Sequence, residues 1–362
     1  MQKLTVMIRV LVVDDSEVDR KLISYALNKE RDMEVIGSAE NPYVAKDMIN
    51  LLNPDVITLD LQMPRMNGLT FLGKIMQLHP FPVIIVSSYT PQNSSYALKA
   101  LNLGALDTIS KPGLEYSLKE FSKRLVRMVR EAKGARIMPP GRNTVKTVRN
   151  KKDRKVSYVN VKGADRKLIA IGSSTGGTRA IEFLLNELPT GLPGIMIVQH
   201  LPENFTKSFA DRLNVHSALD IKEASDNEVI RPGCVYIAPG KQHMKVRKQG
   251  GSMYVQLING ERLNYHRPSA DVLFNSVAEQ VGPSATGVIL TGMGSDGAEG
   301  LLKMRNTGAY TIGQDEASSV IYGMPKVAYE KGAVMEQLPL KEIPGRIVKS
   351  LSRDGKDMEK EI

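Results

Sequence analysis

The chain has 362 residues, 42% hydrophobic and 24% charged, with a formal net charge of +10 and one cysteine. That is enough for about two domains with separate cores, and no apolar run approaches the ~20 residues of a membrane-spanning helix. One cysteine, Cys234, excludes an internal disulfide and fits a reducing compartment; its apolar setting reads as a buried, inert thiol. The positive charge is local. Residues 133–167 carry twelve Lys or Arg against Asp153 and Asp165, which is the whole excess. Such a segment reads as a self-repelling tether, not a nucleic-acid or membrane surface. The opening MQKLTVMIRVLVVDD lacks a small-residue cleavage site and reads as a strand, not a leader, so the protein is expected to be cytoplasmic.

In chain order, residues 8–13, 33–38, 56–59, 83–86 and 106–109 read as buried strands. Amphipathic stretches at 17–28, 42–52, 69–77, 93–102 and 118–131 read as helices. Five βα units imply an α/β, doubly wound parallel sheet, whose ligands bind beyond the carboxyl ends of the strands. At those ends stand Asp14 and Asp15, Asp60, Ser87 and Lys111. Three converging carboxylates repel one another and call for a divalent cation, and all-oxygen ligation suits Mg²⁺. A lysine and a hydroxyl opposite them suit a transferred phosphoryl group. Helix capping accounts for Asp14 or Asp15 singly but not for the set of five.

Val-Val-Asp-Asp-Ser at 12–16, Leu-Asp-Leu-Gln-Met-Pro-Arg-Met-Asn-Gly at 59–68 and Ser-Lys-Pro at 110–112 resemble a response-regulator receiver domain. The resemblance implies Asp60 as phosphoacceptor, Mg²⁺ among Asp14, Asp15, Asp60 and the Gln62 carbonyl, and Ser87 and Lys111 as phosphoryl-sensing groups. It also implies a histidine kinase as phosphodonor. Many receivers carry an aromatic three residues before the lysine; here that residue is Thr108, so a switch built on an aromatic rotamer is not expected.

Periodicity lapses over 132–166, where Pro139-Pro140-Gly141 breaks the preceding helix and 156–161 has the makings of a short strand. The apolar run 168–171 then enters Gly172-Ser173-Ser174-Thr175-Gly176-Gly177, with a helical pattern from 180 to 188. Strand, glycine turn and helix fit G-x-S-x-G, with Ser174 in the reactive place; a phosphate-cradling turn is the plain alternative. His200 follows the apolar run 194–198, and Asp296 follows 287–290. Serine, histidine and aspartate thus end three strands. If they meet, Ser174 is a nucleophile, His200 its base and Asp296 the carboxylate orienting the imidazole. Gly292 and Gly294 let backbone N–H groups approach an oxyanion. Taken singly, His200 reads as a core histidine, Asp296 as an N-cap of the following helix, and His243 as a loop residue. His266 reads as a residue rimming a groove. The order Ser, His, Asp excludes the α/β-hydrolase arrangement.

Ile-Gly-Ser-Ser-Thr-Gly-Gly at 171–177, Gln-His-Leu-Pro-Glu-Asn-Phe-Thr at 199–206, Tyr-Ile-Ala-Pro-Gly at 236–240 and Leu-Thr-Gly-Met-Gly-Ser-Asp-Gly at 290–297 resemble the chemotaxis methylesterase family. The resemblance implies a flavodoxin-like receiver followed by a Rossmann-like three-layer catalytic domain. The expected boundaries are 7–131, a basic linker 132–166, a catalytic domain 167–351 and a charged tail 352–362. It implies catalysis by Ser174, His200 and Asp296, the Met293 N–H as oxyanion donor, and no cofactor for the esterase step. The expected activity is phosphorylation-stimulated demethylation of glutamyl esters on chemoreceptor helices, with deamidation of particular glutamines. No nucleic-acid partner and no membrane insertion are expected. Two rivals remain at this stage: a response regulator with a non-catalytic, partner-binding output domain, and a DNA-binding regulator using the basic segment.

Overall fold

A computed structural model describes residues 7–63, 67–88, 91–113 (main chain alone at 91–95), 117–137, 157–203, 205–264 and 266–352. They form two compact units, one on either side of residues 138–156. The Pro139-Pro140-Gly141 break, most of the basic segment and tail residues 353–362 lie outside the described residues.

The first unit runs β1 (Ile8–Val13), α1 (Glu17–Asn28), β2 (Met33–Ala39), α2 (Pro42–Leu52), β3 (Val56–Leu59), α3 (Gly68–Leu78), β4 (Val83–Ser87), α4 (Pro91–Leu103), β5 (Asp107–Ser110) and α5 (Leu118–Ala132). Its strands form one parallel sheet in the order β2-β1-β3-β4-β5. β3 and β4 are buried along their whole length, because helices cover both faces. Ser16, Asn41, Asn67 and Ser117 cap the helices that follow them. The chain reverses direction across the sheet between β1 and β3, so a crevice opens beyond those two strands. Asp14 and Asp60 stand there.

The second unit runs β6 (Leu168–Ser173), α6 (Gly177–Glu187), β7 (Gly194–Gln199), α7 (Phe205–His216), β8 (Asp220–Glu223), β9 (Cys234–Ile237), β10 (His243–Gln249), β11 (Ser252–Ile258), α8 (Ala270–Gln280), β12 (Ala285–Ile289), α9 (Ala298–Asn306), β13 (Tyr310–Gln314), α10 (Met324–Glu330), β14 (Glu336–Leu338) and α11 (Ile343–Ser350). Seven of these strands make a parallel sheet ordered β14-β13-β12-β6-β7-β9-β8. β6, β7, β12 and β13 are wholly buried. Here the switch point lies between β6 and β12, again at the carboxyl ends. β10 and β11 form an antiparallel hairpin. Gly250 (φ 57°) and Gly251 (φ 83°) supply the two left-handed residues that such a turn demands. Its apolar residues Met244, Val246, Met253 and Val255 pack with Leu273, Phe274 and Val277 of α8 in one core.

Three expectations change. Among residues 157–161 there is no strand, and Tyr158 makes an isolated bridge to Thr190. His243 is not a loop residue but the buried first residue of β10. Cys234 opens β9 half-buried, with its thiol raised above the ordinary value by burial and then by the Asp220 carboxylate.

Candidate active site

In the first unit the structure brings the acidic residues together. Oxygen atoms of Asp14, Asp15 and Asp60 all lie within 4.8 Å of one another. Asp14 and Asp60 are buried, whereas Asp15 is exposed. Lys111 Nζ stands 2.8 Å from Asp14 Oδ2 and 2.7 Å from Asp60 Oδ2. Asp14 Oδ2 nevertheless has no aligned hydrogen-bond donor. Burial pushes the Asp14 carboxyl up to about 6, against the opposing pull of Lys111. Burial lowers the basicity of Lys111, but the Asp14, Asp19 and Asp60 carboxylates around it prevail and hold it cationic. A buried carboxylate oxygen lacking a donor, amid hard oxygen ligands, fits a divalent cation. The Gln62 N–H donates to Asp60 Oδ1 at 3.1 Å, placing the Gln62 main chain beside that carboxylate. Ser87 is buried at the end of β4, and its hydroxyl donates weakly to the Ser88 carbonyl at 3.4 Å.

Sequence reasoning missed Asp19, whose Oδ2 takes a third 2.8 Å contact from Lys111. Its position one turn into α1, on the side of the acceptor, was the available signal. Thr108 is buried with its hydroxyl unpaired, so no aromatic ring occupies that place on β5.

In the second unit, Ser174 leaves β6 between two strand ends. Its N–H donates to the Thr291 carbonyl (3.1 Å), and the His200 N–H donates to the Ser173 carbonyl (3.1 Å). Ser174 does not itself adopt a left-handed backbone; Gly176 does, at φ 79°, and a Cβ there would lie 2.6 Å from Val320 Cβ. The turn therefore bends at the glycine and leaves the serine unstrained. Ser173 points elsewhere: its hydroxyl donates to Gln199 Oε1 (2.6 Å), while Gln199 Nε2 donates to the Ser174 carbonyl (2.9 Å). Gly177 is required beside this pair, since a Cβ would sit 2.2 Å from Gln199 Oε1.

His200 and Asp296, 96 residues apart, meet with His200 Nε2 2.8 Å from Asp296 Oδ2. A carboxylate accepts only, so Nε2 carries the proton. In the neutral ring, the form a base requires, Nδ1 holds the lone pair, and it is buried with no hydrogen-bond partner. No hydrogen bond joins Ser174 to it: half of the serine–histidine–aspartate constellation is made and half is open, as is common before substrate binds. Asp296 is not the N-cap of α9; Gly297 holds that place. It faces the start of α8 instead, accepting from Ser269 Oγ–H (2.6 Å), Ala270 N–H (2.7 Å) and Asp271 N–H (3.3 Å). Burial pushes the Asp296 carboxyl up, but His200, Ser269 and Ala270 outweigh it and hold the group well below the usual carboxylate range. The positive end of α8 favours the same charge. Asp296 is thus a fixed anion aimed at an imidazole.

Met293 is buried in the loop after β12, and among the described residues no hydrogen bond engages its N–H. Gly292 backs Ser174 closely: a Cβ there would meet Ser174 Cβ and N at 2.9 Å. Sequence reasoning missed Ser269 and the histidine placements. His243 Nδ1 accepts the Ser269 N–H (3.2 Å), and its Nε2–H donates to the Glu261 carbonyl (2.8 Å). His266 stacks flat on His200, with centroids 3.7 Å apart and planes 4° from parallel. A serine immediately before a helix start was a legible signal for Ser269. Nothing local marks the stack.

A serine beside a histidine held by a carboxylate has the groups that acyl transfer requires. Residues 169–347 match the family model described as CheB methylesterase, and residues 10–122 match Response regulator receiver domain. Protein-glutamate methylesterase/protein-glutamine glutaminase 2 of Syntrophus aciditrophicus (strain SB) is 48% identical over 342 residues, spanning 94% of this chain and 98% of that protein. Protein-glutamate methylesterase/protein-glutamine glutaminase 4 of Anaeromyxobacter dehalogenans (strain 2CP-C) is 49% identical over 348 residues, 96% of either chain. The crystal structure of the Thermotoga maritima CheB methylesterase catalytic domain matches with a TM-score of 0.50 at 40% identity, covering 51% of this chain and 97% of that one. The chain belongs to the protein-glutamate methylesterase/protein-glutamine glutaminase family, a CheB methylesterase domain preceded by a response-regulator receiver domain.

Proposed function

We propose that this chain hydrolyses glutamyl γ-methyl esters on chemoreceptor cytoplasmic helices, releasing methanol, and deamidates particular glutamines there. His200 Nδ1 takes the proton of Ser174 Oγ as Oγ bonds to the acyl carbon, and the carbonyl electron pair moves onto oxygen beside the Met293 N–H. The tetrahedral centre then collapses, and the leaving methoxide or amide departs with the proton returned from Nδ1. Water repeats the sequence on the acyl-serine and frees the glutamate. Ester and amide differ in the leaving group alone, which is why one site serves both. The observation carrying this reading is the His200 ring, with Nε2–H given to Asp296 and a bare, buried Nδ1.

In the receiver, Asp60 takes the phosphoryl group from a histidine kinase, with Ser87 and Lys111 gripping its oxygens. Asp14, Asp15, Asp60 and the Gln62 carbonyl would hold Mg²⁺, which when bound offsets the negative charge gathered there. Phosphorylation raises the hydrolase activity, and the division at 7–131, 132–166 and 167–351 places these functions in separate domains. Among the described residues no helix is long and apolar enough to cross a membrane, and we assign the protein to the cytoplasm.

The test is methanol release from methylated receptor membranes, with and without a small phosphodonor plus Mg²⁺. Turnover should vanish in Ser174→Ala and lose its donor response in Asp60→Ala. Substantial methanol from Ser174→Ala would remove the serine from its role.

A further inference from the structure

His200 is gripped at one edge, by Asp296. That hydrogen bond fixes where Nε2 lies, but the terminal torsion of histidine, about Cβ–Cγ, is soft, so the tilt of the ring plane is set by what packs on its faces. Nδ1, on the far side of the ring, would sweep an arc, and a displacement of about 1 Å between reacting groups costs on the order of 10²-fold in rate. A second constraint is needed across the face of the ring. His266 is placed to supply it, at 3.7 Å and 4°.

We propose that His266 is a positioning residue: its ring is a flat stop that holds the His200 plane so that Nδ1 stays aimed at Ser174. The inference rests on the assignment of His200 as the base. Described residues on both sides of His266 are tied down by hydrogen bonds. Leu263 and His266 exchange backbone hydrogen bonds in both directions (3.0 and 2.8 Å), and Arg267 Nη1 donates to the Gly260 carbonyl (2.8 Å). Buried His243 ties both ends of the loop, at the Glu261 carbonyl and the Ser269 N–H. Ser269 in turn donates to Asp296. Asp296, at the edge of His200, and His266, on its face, are therefore joined through Ser269 and His243. Planarity, not polarity, is the property the stop requires, since offset or parallel stacking acts through the ring face.

The experiment compares His266→Phe, His266→Leu and His266→Ala in the full-length protein. Phe keeps a flat ring, Leu keeps bulk without flatness, and Ala removes both. Methanol release should show kcat within about 3-fold of the parent for Phe, and roughly 10- to 100-fold lower for Leu and Ala, with KM nearly unchanged throughout. A second readout is independent of turnover. In protein carrying isotope-labelled histidine, the His200 ring protons should show an upfield ring-current shift that persists in Phe and disappears in Leu and Ala. Wild-type kcat in the Leu variant, or a Phe variant as impaired as Leu, overturns the proposal. Should Ala fail to fold by circular dichroism, the Phe–Leu comparison still decides. His200→Ala is the control: if it retains turnover, the base assignment falls, whereas a dead His200→Ala beside an unaffected His266→Leu rejects the stack alone.

Discussion

At the scale of single residues, the site depends on one carboxylate with four donors. Asp296→Asn offers an NH₂ group where Asp296 now accepts, so it either repels a donor or turns the imidazole to the wrong tautomer. The expected loss in kcat is about 10²- to 10⁴-fold with KM little changed; a loss under 5-fold in a kinetic assay would remove Asp296 from the mechanism. Gly292→Ala tests the backing of the nucleophile. Its Cβ would meet Met324 Sδ at 2.4 Å and Ser174 at 2.9 Å. Overpacking of this kind costs roughly 1–3 kcal/mol, and the push on Ser174 should lower kcat at least 10-fold. Urea unfolding and methanol release together measure it. Ser174, His200 and Asp296 were legible because each follows an apolar strand and bears chemistry. Ser269 and His266 were not assigned their places, because their partners come from β12 and β7, far away in the chain.

At the scale of elements, the first turn of α8 holds two carboxylates. Asp296 takes its N–H groups from outside, and Asp271 lies within the turn, accepting the Gly300 N–H at 2.7 Å. Burial, followed by the Asp296 charge, raises the Asp271 carboxyl from 3.8 to about 6, with the Gly300 N–H acting against both. A folded-state value above the unfolded one means that folding takes up a proton between them. Stability therefore falls as pH rises from about 4 to about 6 and stays at the lower level beyond. Asp271→Asn should leave stability unchanged below pH 4 and raise it by about 1–3 kcal/mol at pH 7.5. Melting temperatures across pH measure this, and a shift independent of pH would reject it. The elements of the first unit were readable with ends off by at most two residues, because apolar runs in a two-sided parallel sheet are continuous. In the second unit the strands leading to Ser174, His200 and Asp296 were read and several later elements were not. Two readings failed: His243 opens β10 instead of lying in a loop, and 157–161 finds one bridge and no neighbouring strand to extend it.

At the scale of the whole molecule, two parallel sheets present chemistry at equivalent places, beyond the strands where chain direction reverses. The acceptor triad and the serine–histidine–aspartate set are both products of that topology. Asp60→Ala should abolish phosphoryl uptake from a small phosphodonor and the accompanying rise in methanol release, while the basal rate persists. A chain beginning at Asp165 should keep hydrolase activity and be blind to the donor; a donor response in that chain would break the link between Asp60 and output. Topology also sets when the catalyst comes into being. Ser174 and His200 belong to neighbouring strands of one βαβ unit, whereas the carboxylate that fixes the proton on Nε2 lies 96 residues after the histidine. At about 5–20 residues per second of synthesis, a nascent chain exposes its serine and histidine for roughly 5–20 s before Asp296 exists. Through that interval the imidazole lacks the carboxylate it meets in the finished fold, and the site is complete only when that long-range contact closes.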